Sequence, residues 1–289
     1  MKTAAVRTKP TKYRNLSGAD CYRRFRRNHY LLSGVGIALL ILTAAVYIPR
    51  TEELSFWLYL MTILFLVAAC RIVLWMNAAG AYQILYTDCD PVKFLEFLEV
   101  QRKKLKKPVQ RSNDHLICAL AFAYLEDWDA VYRELTQFQA FRSKNRSLNY
   151  AHLNLLGDYC LAKGMMEDFE SCRRQLLAMA EQGKPREKKQ VDQILRVWDR
   201  RLAWIKKDRV REREILCQLL QEKKYLIQEV AWTFRLAQLD LLEGDLENAR
   251  TRLRFVMEYG NTMAVRAWAE EIWNTQNETG EMNHEYDTE

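Results

Sequence analysis

The chain has 289 residues, of which 49% are apolar, with only ten glycines and five prolines. That apolar share excludes a disordered protein, and the scarcity of helix breakers favours long helices over sandwich or barrel folds. The formal charge of +7 is concentrated: residues 1–30 hold nine Lys/Arg against Asp20 alone, whereas residues 77–289 hold 33 basic and 34 acidic residues. Nonspecific nucleic-acid binding needs a basic face on the folded domain, so no nucleic-acid partner is expected.

Residues 1–29 read as a basic cytoplasmic arm, ending in "CYRRFRRNHY" with Arg23, Arg24, Arg26 and Arg27. From Tyr30 to Ile48, nineteen residues carry no charge. As a helix they are roughly 28 Å long, close to the hydrocarbon thickness of a bilayer. A short polar turn, "PRTEELS", leads to a second apolar run from Phe56 to Met76 whose one charge is Arg71, placed to snorkel to the far headgroups. Trp57, Tyr59 and Trp75 flank this run as interfacial aromatics do. Residues 30–76 are therefore expected to form a two-span transmembrane hairpin. Basic clusters abut both outer ends, and the turn has only Arg50, so the positive-inside rule places both termini in the cytoplasm at the plasma membrane. Arg23, Arg24, Arg26, Arg27, Lys103 and Lys104 are candidate contacts for anionic lipid, a solvated charge run being the alternative for residues 102–107. Ser33, Gly34, Gly36 and Ala38 give the first span a small-residue face, suited to a partner helix or to the second span.

Residues 77–111 read as a juxtamembrane helix and basic connector. Asp90 followed by Pro91 is a helix start, an N-cap acid before proline at the first helical position. Apolar spacing then predicts helices over 112–126, 128–141, 148–163, 166–181, 187–206, 209–223, 226–243, 245–259 and 262–274, with no strand. Residues 275–289 are polar, acidic and expected to be disordered. The seven cysteines form no Cys-x-x-Cys pair and fall mostly in apolar helical patterns, where a thiol behaves as a small hydrophobe in a reducing compartment.

The segment 112–274 contains an internal repeat. Leu236-Ala237 precedes Gly244 by seven or eight residues, and Leu246, Ala249, Leu253 and Val256 follow at helical intervals. Leu156-Gly157 precedes Gly164 in the same way, with Phe169, Cys172 and Leu176 after it. Gly157 and Ala237 allow two helices to approach closely, Gly164 and Gly244 supply positive φ to end the first helix, and Asp245 caps the second. The segment Glu187–Tyr225 lacks a glycine turn and reads as a degenerate copy at best. Such hairpins cannot bury their apolar faces alone and must stack. The pattern resembles the tetratricopeptide repeat family, most clearly across Ala231–Val256, less so across Ala151–Leu176 and least across Asn113–Phe138. Asp240 and Cys160 stand where that family has a large aromatic. Two N-terminal spans followed by such repeats are also similar to small, mostly uncharacterised bacterial membrane proteins. The resemblance implies an all-α fold, two transmembrane helices followed by an antiparallel helix-hairpin solenoid. It also implies a concave groove for a protein partner lined by Asn154, Asp158, Phe234 and Gln238, with Arg235 beside them. The family's clamp for a C-terminal carboxylate is not reproduced.

No phosphate loop, His-Glu-x-x-His or nucleophile elbow is present. The four histidines are scattered, and His115 and His152 read as surface or groove positions. Asp88 and Asp90 offer too few oxygens for a cation. Trp198, Trp204, Trp232 and Trp268 sit on apolar stripes and read as core. The expectation is a non-catalytic protein without cofactor or metal, a membrane-anchored scaffold that binds a protein partner through its groove. The alternative is an accessory subunit of a membrane complex that docks through its spans.

Overall fold

The computed structural model describes residues 11–47, 53–104, 108–139 and 145–286, and among these residues it contains twelve helices and no strand. Two long helices open the chain, α1 (Gly18–Tyr47) and α2 (Glu53–Tyr86), followed by a short one, α3 (Pro91–Arg102). Four hairpins come next: α4 (Pro108–Tyr124) with α5 (Trp128–Gln139), α6 (Arg146–Ala162) with α7 (Met166–Glu181), α8 (Pro185–Ile205) with α9 (Arg209–Gln221), and α10 (Leu226–Glu243) with α11 (Leu246–Tyr259). The last helix is α12 (Ala264–Tyr286). Most boundaries fall within a few residues of those expected from apolar spacing. The last does not: α12 continues helically to Tyr286, through most of the segment expected to be disordered. Ile48 of the expected first span, residues 49–52 of the expected turn and helix positions 140–141 lie outside the described residues.

A larger difference from the expected bounds lies in the segments that flank the two apolar runs. Helix α1 begins at Gly18 rather than at residue 30, and α2 runs on to Tyr86 rather than stopping at 76. The extra turns are not a loose arm. Tyr13, Cys21 and Tyr22 are buried, as are Ala81, Ile84 and Leu85 at the other end, in one apolar core with Phe94, Phe97 and Leu98 of α3. The rings of Tyr22 and Phe25 both meet Phe97 edge-on at 5.7 Å between centroids. Polar pairing fixes the register: Gly18 N donates to Glu96 Oε2 at 3.1 Å, and Lys93 Nζ donates to the Arg14 carbonyl at 2.9 Å. Asp90 caps α3 as expected, accepting from Lys93 N at 3.1 Å, and Asp88 accepts from the Thr11 backbone and hydroxyl.

Beyond that core the two long helices are apolar on their outer faces. Both are long and apolar enough to cross a bilayer, the most apolar 18-residue stretches within Gly18–Val46 and Phe56–Tyr86 having mean hydropathy 1.9 and 2.2. They pack on each other, and a Cβ on Gly36 would lie 2.7 Å from Cys70 Sγ, so this glycine of the small-residue face serves contact within the chain.

The four hairpins share one turn. Glu126, Gly164, Lys207 and Gly244 all have positive φ, at 56°, 72°, 60° and 80°. In each, the next residue donates its N–H to a carbonyl five positions back (Asp127 to Phe122, Met165 to Cys160, Asp208 to Ala203, Asp245 to Asp240). This 6→1 closure, the Schellman pattern, satisfies carbonyls that a helix end leaves open. Two of the turns hold a non-glycine residue in a region that costs an L-residue about 1–2 kcal/mol. The segment Glu187–Tyr225, read from sequence as degenerate, is therefore a complete hairpin. Asp208 and Asp245 cap the helices that follow, accepting from Arg211 N and Asn248 N.

Successive hairpins stack, with α6 packed between α4 and α8. The close approach predicted at Gly157 joins neighbouring hairpins rather than the two helices of one pair: a Cβ there would sit 2.3 Å from Trp198 Cζ2 of α8. Asp240, in place of an aromatic, is 1% exposed and pairs with Arg213 Nη1 at 2.8 Å and Arg252 Nε at 2.6 Å.

The row of hairpins then closes on its own beginning. Ile227, Val230, Phe234 and Ala237 of α10, Leu253 and Val256 of α11, and Val265 and Ala269 of α12 belong to the same core as the ends of α1 and α2. Tyr86 stacks on Tyr225 with centroids 4.4 Å apart. Asn261 Nδ2 donates to the Asp88 carbonyl at 3.1 Å, and the Thr262 hydroxyl donates to Asp90 Oδ1 at 2.7 Å.

Gly157→Ala is expected to lower stability by about 1–3 kcal/mol, because the added methyl forces Trp198 off its site in a filled core. Urea unfolding of the solubilised protein checks this, and Gly157→Ala with Trp198→Leu should recover part of the loss.

Candidate functional site

The inner helix of each hairpin faces the space that the closed row surrounds. Helices α4, α6, α8, α10 and α12 line one cavity of about 700 Å³, and Tyr86 at the end of α2 completes its wall. This volume lies in the range of pockets that hold small molecules or side chains of a partner.

Of the groove residues named from sequence, Asn154, Asp158, Phe234 and Arg235 line this cavity. Gln238 does not; it borders a smaller depression beside Trp268 and receives a hydrogen bond from Arg235. Phe234 is 1% exposed and packs on Trp268 at 5.9 Å, so most of its ring belongs to the core. The repeat-defining Ala237 and Ala249 are fully buried.

The residues that dominate the wall were not foreseen. Arg200, Arg201 and Trp204 come from α8, the helix whose hairpin lacks a glycine turn and so offered no register for transferring groove positions. Trp198 is core, as expected, at 1% exposure. Trp204 and Trp268 instead line the cavity, 38% and 40% exposed, and Trp232 does both, bordering the cavity while packing on the core of Leu216, Leu236 and Leu239. His152 is buried and stacked on Phe138 at 5.0 Å, and His115 Nδ1 lies 2.6 Å from Glu134 Oε2, so neither histidine is the open surface position expected.

Charge is crowded at the α8–α10 side. The Arg235 guanidinium sits 3.6 Å from the centroid of Trp204 and 3.4 Å from Glu212 Oε1. Arg201 lies over Trp128 at 5.2 Å and pairs with Asp158 at 3.2 Å. Arg200 approaches Glu212 Oε1 only to 3.7 Å, too far for a hydrogen bond. Burial, then the neighbouring Arg201 and Arg235, pushes the Arg200 guanidinium down from its ordinary value. Arginine nonetheless keeps its proton in proteins, so this guanidinium stays charged in a buried setting, opposed by Glu212 and Asp158. Burial raises the carboxyls of Asp158 and Glu212, and the same arginines oppose the rise.

A second basic feature lies where α1 meets the end of α3. Arg23 and Arg27 are exposed, Arg24 donates to the Lys12 carbonyl, and Arg26 binds the Tyr30 hydroxyl. Lys103 pairs with Glu99, while Lys104 lies 5.1 Å from the Tyr22 ring centroid, which brings the second basic cluster against the first. Residues 105–107 of that run lie outside the described residues.

Comparison with protein-family models, curated proteins and solved structures returned no match for this chain.

Glu212, 1% exposed, faces two of the three cavity arginines. Glu212→Gln is expected to destabilise the fold by about 3–5 kcal/mol, the loss typical when one partner of a buried ion pair is removed. Denaturant unfolding measures it, and a change under about 1 kcal/mol contradicts this account of the wall.

Proposed function

We propose that the chain is an integral membrane protein whose N-terminal helical hairpin anchors a tetratricopeptide-like repeat domain at the cytoplasmic face of the plasma membrane. There the domain's cavity holds a protein partner. The membrane half of this reading is supported by exposure: Leu31, Ile41, Phe65 and Trp75 are 61%, 65%, 72% and 70% exposed, and the most apolar window of α2 is 0% buried. A core helix of a water-soluble protein buries such side chains, whereas a bilayer solvates them. Both termini are assigned to the cytoplasm because the basic residues flank the outer ends of the hairpin. The two basic clusters that meet at Tyr22 and Lys104 suit anionic headgroups, at about 1 kcal/mol per residue near the surface.

The observation that carries the recognition half is the cavity wall, where tryptophans and arginines left partly exposed gather on inner helices. Aromatic and arginine side chains of this kind anchor partners in desolvated pockets. The mechanism is scaffolding: anchoring confines the cavity to a thin layer beside the membrane and raises the effective concentration of whatever it holds. Docking through the spans is the competing reading.

The test compares three full-length proteins cross-linked in native membranes: the unaltered chain, a Trp204→Ala/Gln228→Ala variant, and a chain with residues 30–76 exchanged for an unrelated two-span anchor. Recognition by the cavity predicts a partner held by the first and third and lost by the second. Loss on the anchor exchange alone identifies the spans as the docking element. Cys217, which is exposed, reports orientation: a membrane-impermeant maleimide should label it in inside-out vesicles and not in intact cells.

A further inference from the structure

We infer that the cavity's occupant is a peptide segment bearing an internal acidic side chain beside aromatic or large apolar residues, its carboxylate held by Arg200, Arg201 and Arg235. This rests on the reading that the cavity is the recognition site.

The arginine cluster carries the inference. Arg200 is only 8% exposed, lines the cavity, and its Nε has no hydrogen-bond partner. The Nε atom of Arg235 is likewise buried without a hydrogen-bond partner, whereas Arg201 Nε is paired with Asp158 Oδ1 at 3.2 Å. Three guanidiniums offer fifteen N–H donors, five each, and face two carboxylates, Asp158 and Glu212. Glu126, the remaining acid on the wall, is engaged by Trp128 Nε1 at 2.6 Å. Gln238 accepts from Arg235 Nη1, and the buried Nε groups of Arg200 and Arg235 remain unmet by the chain. A planar carboxylate matches the guanidinium fork and forms short, charge-assisted bonds. A guest without an acceptor leaves the buried N–H groups unmet.

The rest of the wall specifies what carries the carboxylate. Trp204, Trp232, Trp268 and Tyr225 present ring faces and edges to large apolar side chains. Asn154 on α6, Gln190 and Gln193 on α8, and Gln228 on α10 offer amides that both donate and accept, the complement of a peptide backbone. These amides lie on the helix before the cluster and on the helices that hold it, so a chain has backbone partners on either side of the carboxylate. That arrangement favours an acidic side chain within a segment over a chain terminus.

The experiment is isothermal titration calorimetry on the full chain in lipid nanodiscs. Four N-acetylated peptides serve as probes: Ac-Phe-Glu-Phe-NH2, its Gln and Lys counterparts, and Ac-Phe-Gln-Phe with a free C-terminal carboxylate. The Glu peptide is expected to bind about tenfold or more tighter than the Gln peptide, the value of a charge-assisted bond, with the Lys peptide weakest. Arg201→Gln should remove that preference, with binding read below the temperature at which circular dichroism shows the variant begin to unfold, and Arg200→Lys should retain part of it. Equal binding of the Glu and Gln peptides overturns the inference and leaves the cavity reading standing. Equal binding of the Glu and free-carboxylate peptides makes the terminus the source and overturns it too. A Glu preference that persists in both Arg201→Gln and Arg200→Gln removes the cluster as its cause, and binding of none of the four removes the cavity reading as well.

Discussion

The structure depends on one apolar core that joins segments far apart in the chain. The inner ends of the two long apolar helices, α3, and the last three helices of the hairpin row all place buried side chains in it. Burying a large apolar side chain fully is worth about 1.5–3 kcal/mol. Tyr22, Ile84, Leu85, Phe94, Phe97, Val230 and Phe234 together therefore bind the beginning and end of the row with far more energy than its polar staples supply. Because α2 is a continuous helix, any tilt of its apolar part moves Tyr86, which is both the stacking partner of Tyr225 and part of the cavity wall.

That closure alters what the repeats can do. An open stack of hairpins presents a long groove, and its end repeats need polar caps. Here α2 and α3 cover the end that α10–α12 would otherwise leave exposed, and the inner helices surround a bounded cavity. Charged pairs replace apolar contacts at the seams: Asp240 with Arg213 and Arg252 between α9, α10 and α11, and Glu212 with Arg200 and Arg235 between α8, α9 and α10. Ion pairs of this kind contribute modestly to net stability while penalising any register that leaves one member alone.

The helices were legible because apolar residues recur at helical spacing, and three of their ends because Asp90-Pro91, Gly164 and Gly244 carry local signals. Glu126 and Lys207 take the same turn geometry without a glycine, held there by the packing of the hairpins they join, and no local propensity announces that. The buried part of α1 was hidden for a different reason. Residues 18–29 are dense in arginine, so composition reads as a solvated arm, although Cys21, Tyr22 and Phe25 form an inward stripe between the charges. At the cavity, Asn154, Asp158 and Arg235 followed from repeat register, and Phe234 only in part, since most of its ring is core. Arg200, Arg201 and Trp204 could not follow, since register was lost at the Lys207 turn. Their clustering comes from α8 and α10 meeting across the cavity, which is tertiary information.

The most direct test of this account is amide hydrogen exchange on the full chain in lipid nanodiscs, read by segment. A shared core predicts that residues 80–98 and the buried turns of α10 and α11 open together, with one free energy and one denaturant dependence. Fast, independent exchange of residues 80–98 while α10 and α11 stay protected would mean an open row of hairpins on a separate anchor, and would contradict the closed architecture.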